Sequence, residues 1–238
     1  MENLKYQRVL LKLSGEVLSP NDGNGIDPNS AKKIAAQVKT IYNLGVNLGI
    51  VIGGGNIWRG KIASEVGMER ANADYVGMLA TVMNSLVLMD ALQQVGIPAR
   101  VQTSIEMRVV AEPYTRARAM SHIGHGYVII FGGGTGNPYF TTDTAASLRA
   151  LEINADLLIK ATKVDGIYDC DPFKNPNAKK YDTLTYTEAL TKDLGVMDAT
   201  ALSLCRENKM PLMVLNMWEK DSLIKAVTGQ TIGTLVEA

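Results

Sequence analysis

Cysteine is almost missing from this chain: only Cys170 and Cys205 occur, far apart in sequence. That excludes a disulfide framework and makes a reducing compartment the expectation. Excess charge is missing too, since Lys plus Arg and Asp plus Glu both count 24 and the formal net charge is zero. This balance removes the simplest argument for nucleic acid or an anionic membrane as the main partner, but leaves room for a local cationic site. No uninterrupted apolar stretch approaches the roughly 20 residues that span a bilayer. Met1-Glu2-Asn3-Leu4-Lys5 leads into a short apolar run, unlike the basic-then-apolar start of a signal peptide. A cytoplasmic protein that needs neither membrane nor nucleic acid is therefore expected. The only histidines, His122 and His125, have no cysteine or carboxylate cluster beside them and do not suggest a metal site. Flexible linkers, internal repeats and low-complexity tracts are also lacking, so one domain with two lobes is the simplest organisation.

What is present is an α/β pattern over 238 residues, 46% of them hydrophobic. Apolar runs predict strands at Arg8–Leu13, Val46–Ile52, Ala99–Thr103, Tyr127–Phe131, Asp156–Ala161 and Leu212–Leu215, with a last strand at Thr231–Val236. Asp27-Pro28 reads as an N-cap followed by proline at the first helical position, and Gly45 as the stop of that helix. Further helices are predicted near Asp74–Val95, Pro113–Ser121, Thr144–Leu151, Thr187–Leu190 and Ala199–Asn208. Lys163–Asp182, rich in Asp, Pro, Asn and Lys, reads as a surface excursion. Strands that alternate with helices predict a mainly parallel sheet covered on both faces.

Ligands in such sheets bind at the carboxyl ends of the strands. Three glycine-bearing segments sit there: Lys12-Leu13-Ser14-Gly15, Gly53-Gly54-Gly55-Asn56 and Gly132–Thr142. Glycine lets backbone N–H groups approach phosphate oxygens, and two segments have cations nearby, so an anionic ligand is expected. Gly55 to Lys61 has the Walker A spacing, but Ile62 stands where a hydroxyl should hold Mg²⁺. The dinucleotide pattern G-x-G-x-x-G is absent from these segments as well, so phosphate is handled by another geometry.

Those segments, with Arg59-Gly60 and with Lys160-Ala161-Thr162-Lys163-Val164-Asp165-Gly166, resemble the bacterial UMP kinase family of the amino-acid kinase superfamily. The resemblance runs in order from about Arg8 to Val236. Its specific part is Asp74 with Gly134-Thr135-Gly136-Asn137-Pro138 and the Lys160–Gly166 block. It implies a three-layer αβα sandwich of the amino-acid kinase (carbamate kinase-like) type. The acceptor-nucleotide lobe would span about 1–155 and the ATP-binding lobe about 156–238. The implied activity is Mg²⁺-dependent phosphoryl transfer from ATP to UMP, by a homohexamer that GTP activates and UTP inhibits.

By the same resemblance Lys12, Arg59, Asp143 and Asp198 serve catalysis. Lys12, Leu13, Ser14, Gly15, Gly55, Arg59, Thr162, Tyr168 and Asp171 bind ATP, with Lys160 and Lys163 as further phosphate contacts. Gly54, Asp74 and the run Thr135, Gly136, Asn137, Pro138, Tyr139, Phe140, Thr141 and Thr142 bind UMP. No dedicated metal ligands are expected, because Mg²⁺ keeps waters and substrate phosphates. Each assignment has a plainer competitor. Lys12 could be a surface lysine, Arg59 a solvated loop arginine and Tyr168 a core tyrosine. Asp74, Asp143 and Asp198 could be helix N-caps before Tyr75, Thr144 and Ala199. Rival functions are a kinase of the same fold acting on carbamate, acetylglutamate or aspartate, and a non-catalytic oxyanion-binding protein.

Overall fold

The apolar run Arg8–Leu13 becomes β1, in the middle of the sheet and buried on both faces. A run without polar alternation is what a doubly covered parallel sheet accommodates. The structure is a computed structural model and describes residues 3–20, 25–59, 65 and 67–238. In it β1 pairs in parallel with β2 (Asn47–Ile52) on one side and β6 (Leu157–Thr162) on the other. Beyond β2 lie β5 (Val128–Gly132), β3 (Ala99–Thr103) and the short edge strand β4 (Glu112–Pro113). Beyond β6 lie β10 (Leu212–Asn216), β11 (Thr234–Glu237) and β9 (Thr183–Thr185). The pairing of β10 with β11 is antiparallel, and the others in this sheet are parallel. A separate antiparallel hairpin joins β7 (Ile167–Tyr168) to β8 (Lys180–Tyr181).

Side chains alternate between the two sheet faces. Val9, Leu11 and Leu13 enter the core under α1 (Pro28–Tyr42), α2 (Arg70–Gln94) and α7 (Ser222–Thr228). Leu10 enters the core under α3 (Arg116–Gly124), α4 (Thr142–Glu152), α5 (Tyr186–Thr191) and α6 (Ala199–Glu207). Helix α1 starts as expected: the Asp27 carboxylate accepts from the N–H groups of Asn29 and Ser30, and Pro28 takes the first helical position. It buries Ile34, Val38 and Ile41 as one stripe, each worth about 1.5–3 kcal/mol against exposure. By length and composition α2 could cross a membrane, yet half of its most apolar window is buried inside the protein.

Several expected boundaries move for local reasons. Helix α2 begins at Arg70, four residues before Asp74, so Asp74 is not its N-cap. Pro113 ends the edge strand β4, where its missing N–H costs nothing, and Thr115 caps α3 behind it. The last strand starts at Thr234, after a turn in which Gly233 takes φ 63. The expected surface excursion contains the β7–β8 hairpin.

A Cβ at Gly233 would collide with the Val214 carbonyl oxygen, besides being strained at positive φ. Gly233→Ala is expected to destabilise the fold by more than the roughly 1–3 kcal/mol of backbone strain alone. Urea denaturation checks this, and an unchanged midpoint would contradict it.

Candidate active site

The chain leaves β1 toward β2 first and returns to its other side as β6, so a crevice opens at the carboxyl edge beside β1. The parallel register sets Lys12 directly opposite Lys160. By alternation both project to the α4 face, alongside Leu10 and Leu158. Asp143, in the first turn of α4, stands between the two ammonium groups. Its Oδ1 lies 2.7 Å from Lys12 Nζ and its Oδ2 lies 2.8 Å from Lys160 Nζ. At these distances each ammonium group makes a charge-assisted contact with its own carboxylate oxygen. Lys160 also donates to the Val196 carbonyl oxygen at 2.5 Å.

Lys12 is 8% exposed, so it is no surface lysine. Asp143 is not the helix cap either: Thr141 caps α4 by accepting from the N–H groups of Asp143 and Thr144. The carboxylate is free for the lysines, at the helix end where negative charge is favoured. Burial pushes the Asp143 pKa up, but the charges of Lys12 and Lys160 outweigh it and hold the group below its ordinary value. Burial, with the neighbouring Lys12 charge, lowers the Lys160 pKa against the pull of Asp143. Asp198 does act as a cap, accepting from Ala201 N–H at 2.9 Å in α6. Its carboxylate also accepts from the hydroxyls of Thr141 and Thr144, tying the start of α4 to the start of α6.

The glycine turns meet by backbone contact. A Cβ on Gly15 would lie 2.5 Å from the Gly53 carbonyl oxygen, and one on Gly54 would lie 2.7 Å from that of Gly77. Beneath them the buried amides of Asn56 and Asn84 bond each other reciprocally, and Asn84 donates to the Gly53 carbonyl oxygen at 2.7 Å. Leu13 is buried in the core and offers only its backbone here, while the Ser14 hydroxyl accepts from Glu16 N–H. Arg59 reaches Glu16 at 2.5 Å, and Lys163 reaches the other Glu16 oxygen at 3.3 Å. These groups border a cavity of about 590 Å³ with Gly55 and Trp218. Gly60, Lys61 and Ile62 of the Walker-like stretch lie outside the described residues.

A second cavity, of about 130 Å³, lies between α2 and the loop after β5. Gly54, Gly55 and Asp74 line it, and so do Thr135, Asn137, Phe140, Thr141 and Thr142. Asp74 is held by Arg70 at 2.8 Å and accepts from Tyr139 N–H at 2.8 Å, so it fastens the loop to α2. Gly136, Pro138 and Tyr139 are not among its walls. Gly136 and Tyr139 turn the loop at φ 82 and 71. Trp58, Met78 and Thr81, which carry no role in the sequence motifs above, also wall this cavity. Met78 and Thr81 follow Asp74 at helical spacing, a signal that could have found them.

The third cavity, of about 570 Å³, gathers Thr162, Tyr168, Asp171 and Lys160 with Val196 and Val214. Tyr168 is half-buried in its wall and is not a core tyrosine; its hydroxyl donates to Asp165 at 2.6 Å, which raises its pKa. Lys160 belongs to this cavity and Thr142 to the 130 Å³ one, so Asp143 stands where the two approach. Among the described residues no group of three or more His, Cys, Asp or Glu could cage a metal ion.

A model of the amino acid kinase family matches residues 7–216. The chain is 42% identical to a solved UMP kinase from Bacillus anthracis, covering 98% of this chain and 96% of that one, with a TM-score of 0.94. It is 38% identical to UMP kinase from Ureaplasma parvum, covering 99% and 100%, with a TM-score of 0.91. With uridylate kinase from Archaeoglobus fulgidus the identity is 28%, the coverage 96% and 99%, and the TM-score 0.73.

Because the folded pKa of Asp143 is depressed, its stabilising charge is fully present above the ordinary value of 3.8 and is lost as pH falls through the folded value. Asp143→Asn is expected to cost about 3–5 kcal/mol at neutral pH, by leaving two buried ammonium groups without a counter-charge. The deficit should shrink below pH 3.8. Unfolding of both proteins across that range checks it, and a gap that stays constant into acid would refute the ionic account.

Proposed function

This chain belongs to the amino acid kinase family, and on that premise we propose that it transfers the terminal phosphoryl group of ATP to UMP, giving UDP and ADP. The observation that carries the reading is the Lys12–Asp143–Lys160 cluster: Lys160 lines the cavity that keeps Tyr168, and Thr142, next to Asp143, lines the cavity that keeps Asp74. An oxygen of the UMP phosphate attacks the γ-phosphorus of ATP while the bond to the β–γ bridging oxygen breaks. No proton must leave the nucleophile, because that oxygen is already anionic at neutral pH. Catalysis then rests on positioning and on neutralising charge.

In this reading Lys12 and Lys160 meet the oxygens of the transferring group, and Asp143 keeps both ammonium groups in place. The amides of Gly15, Gly54 and Gly55 face phosphate, and Arg59 exchanges Glu16 for a phosphate oxygen. Asp74 accepts from a ribose hydroxyl, and Thr135–Thr142 surrounds the uracil. Thr162, Tyr168 and Asp171 hold the adenosine, and Asp198 acts by positioning α4. Mg²⁺ would arrive on ATP and keep waters and phosphate oxygens as ligands, with Asp143 as the carboxylate beside it. The chemistry such an ion would supply is charge neutralisation at the phosphates around the transferring group. The exposed stripe Tyr75, Leu79 and Met83 along α2 supports self-association, in keeping with a homohexamer. Activation by GTP and inhibition by UTP belong to the same reading.

ADP release measured with UMP, CMP, dUMP, carbamate and acetylglutamate tests the acceptor. UMP should be strongly preferred, and turnover of carbamate or acetylglutamate without UMP overturns the reading. Removing Mg²⁺ with EDTA should abolish turnover, and added Mg²⁺ should restore it. Lys12→Ala should lower kcat by about 10²–10³, the usual loss for one donor to a developing negative charge.

A further inference from the structure

One charged side chain lies buried behind the acceptor loop with no part in the transfer itself. Arg149, on α4, is 4% exposed. Its guanidinium lies over the Tyr114 ring, 3.7 Å from the centroid. Nη1 donates to Glu152 Oε2 at 2.5 Å, and the same oxygen accepts from the Tyr114 hydroxyl at 2.5 Å. Nη2 donates to Ser104 Oγ at 2.7 Å and lies 3.5 Å from the Gly134 carbonyl oxygen. Ser104 Oγ in turn donates to that carbonyl at 2.9 Å.

A buried guanidinium is a costly way to fill space, and an apolar residue of similar volume often packs as well or better. Here the cost is raised by Nε, which is buried and has no hydrogen-bond partner among the described residues. What the guanidinium can do, and a hydrocarbon cannot, is hold Ser104 and through it Gly134. Gly134 lines the acceptor cavity and sits at φ 58, immediately before Thr135. Elsewhere the loop is pinned by Thr81, which accepts from Gly133 N–H at 2.8 Å, and by Asp74 at Tyr139. Arg149 and Ser104 secure the stretch between those points. The 570 Å³ donor cavity includes none of Ser104, Tyr114, Arg149 and Glu152.

We propose that Arg149 is a positioning residue for the acceptor nucleotide, fixing through Ser104 and the Gly134 carbonyl the loop that surrounds the uracil. The inference rests on UMP being the acceptor, so wild-type turnover of UMP is measured first. Its absence overturns the acceptor reading and this inference together. With turnover established, steady-state kinetics of Arg149→Met, Arg149→Lys and Ser104→Ala decide the matter, with circular dichroism to show that each variant is folded. Arg149→Met should raise KM for UMP about tenfold, the scale expected for losing hydrogen bonds from a charged donor, and leave KM for ATP unchanged. Ser104→Ala should move KM for UMP in the same direction. Arg149→Lys keeps the charge but lacks the fork that reaches Glu152 and Ser104 together, and should fall between wild type and Arg149→Met. Equal changes in both KM values, or no change in folded variants, overturn the inference while leaving the acceptor reading intact. If Arg149→Met does not fold, Ser104→Ala decides alone by the same selectivity.

Discussion

Two lysines set side by side on one face of a parallel ladder repel each other, and the single carboxylate between Lys12 and Lys160 makes that arrangement tenable. Much of the site geometry follows from the need to place Asp143 there. Helix α4 must begin at the carboxyl edge of the sheet, so the chain arriving from β5 has to cross that edge as a loop. Thr141 caps the helix, which frees Asp143 from the capping task and leaves it to the ammonium groups. Asp198 fastens the same helix start to α6, the helix that leads into β10, so elements from both sides of β1 meet at one point. The loop that carries Thr135–Thr142 and the cavity that Tyr168 lines both adjoin that point.

Close backbone approach is the second constraint. Gly15 touches Gly53, and Gly54 touches the carbonyl of Gly77, so these residues serve packing as well as exposure of N–H groups. The paired amides of Asn56 and Asn84 satisfy the polar groups that such a crowded turn buries. Flexibility is not what the glycines supply here: they let rigid backbone segments stand nearer than any side chain would permit.

The fold was largely legible in the sequence, because long apolar runs such as Arg8–Leu13 and cap signals such as Asp27-Pro28 are local. Where the reading missed, the cause was distance or weakness of signal. Helix α2 starts at Arg70 without a side-chain cap at Glu69, so nothing local marked the boundary. The two-residue strands of the β7–β8 hairpin are too short to show periodicity. A carboxylate at a helix start reads as cap or as ligand, and the Thr141 cap together with the register of β1 on β6 decides for Asp143. Arg149 looks like an ordinary helical arginine until Tyr114 and Ser104, from other elements, are seen to cover it. The glycine segments pointed to the candidate site, and family resemblance rather than residue chemistry supplied the expectation of a uracil nucleotide.

The position of β1 has a consequence for synthesis. The strand lies near the start of the chain, yet one of its edges waits for β6, and the Arg8 amide bonds to Asp156, 148 residues farther on. At about 5–20 residues per second, a ribosome needs on the order of ten seconds to deliver that segment. Through that interval the nascent chain carries an apolar strand with one row of N–H and C=O groups open, the kind of edge on which chains stick to one another. Arrival of β6 closes that edge of β1 and brings Lys160 to Lys12 in the same step, so closing the strand and assembling the charged centre are one event.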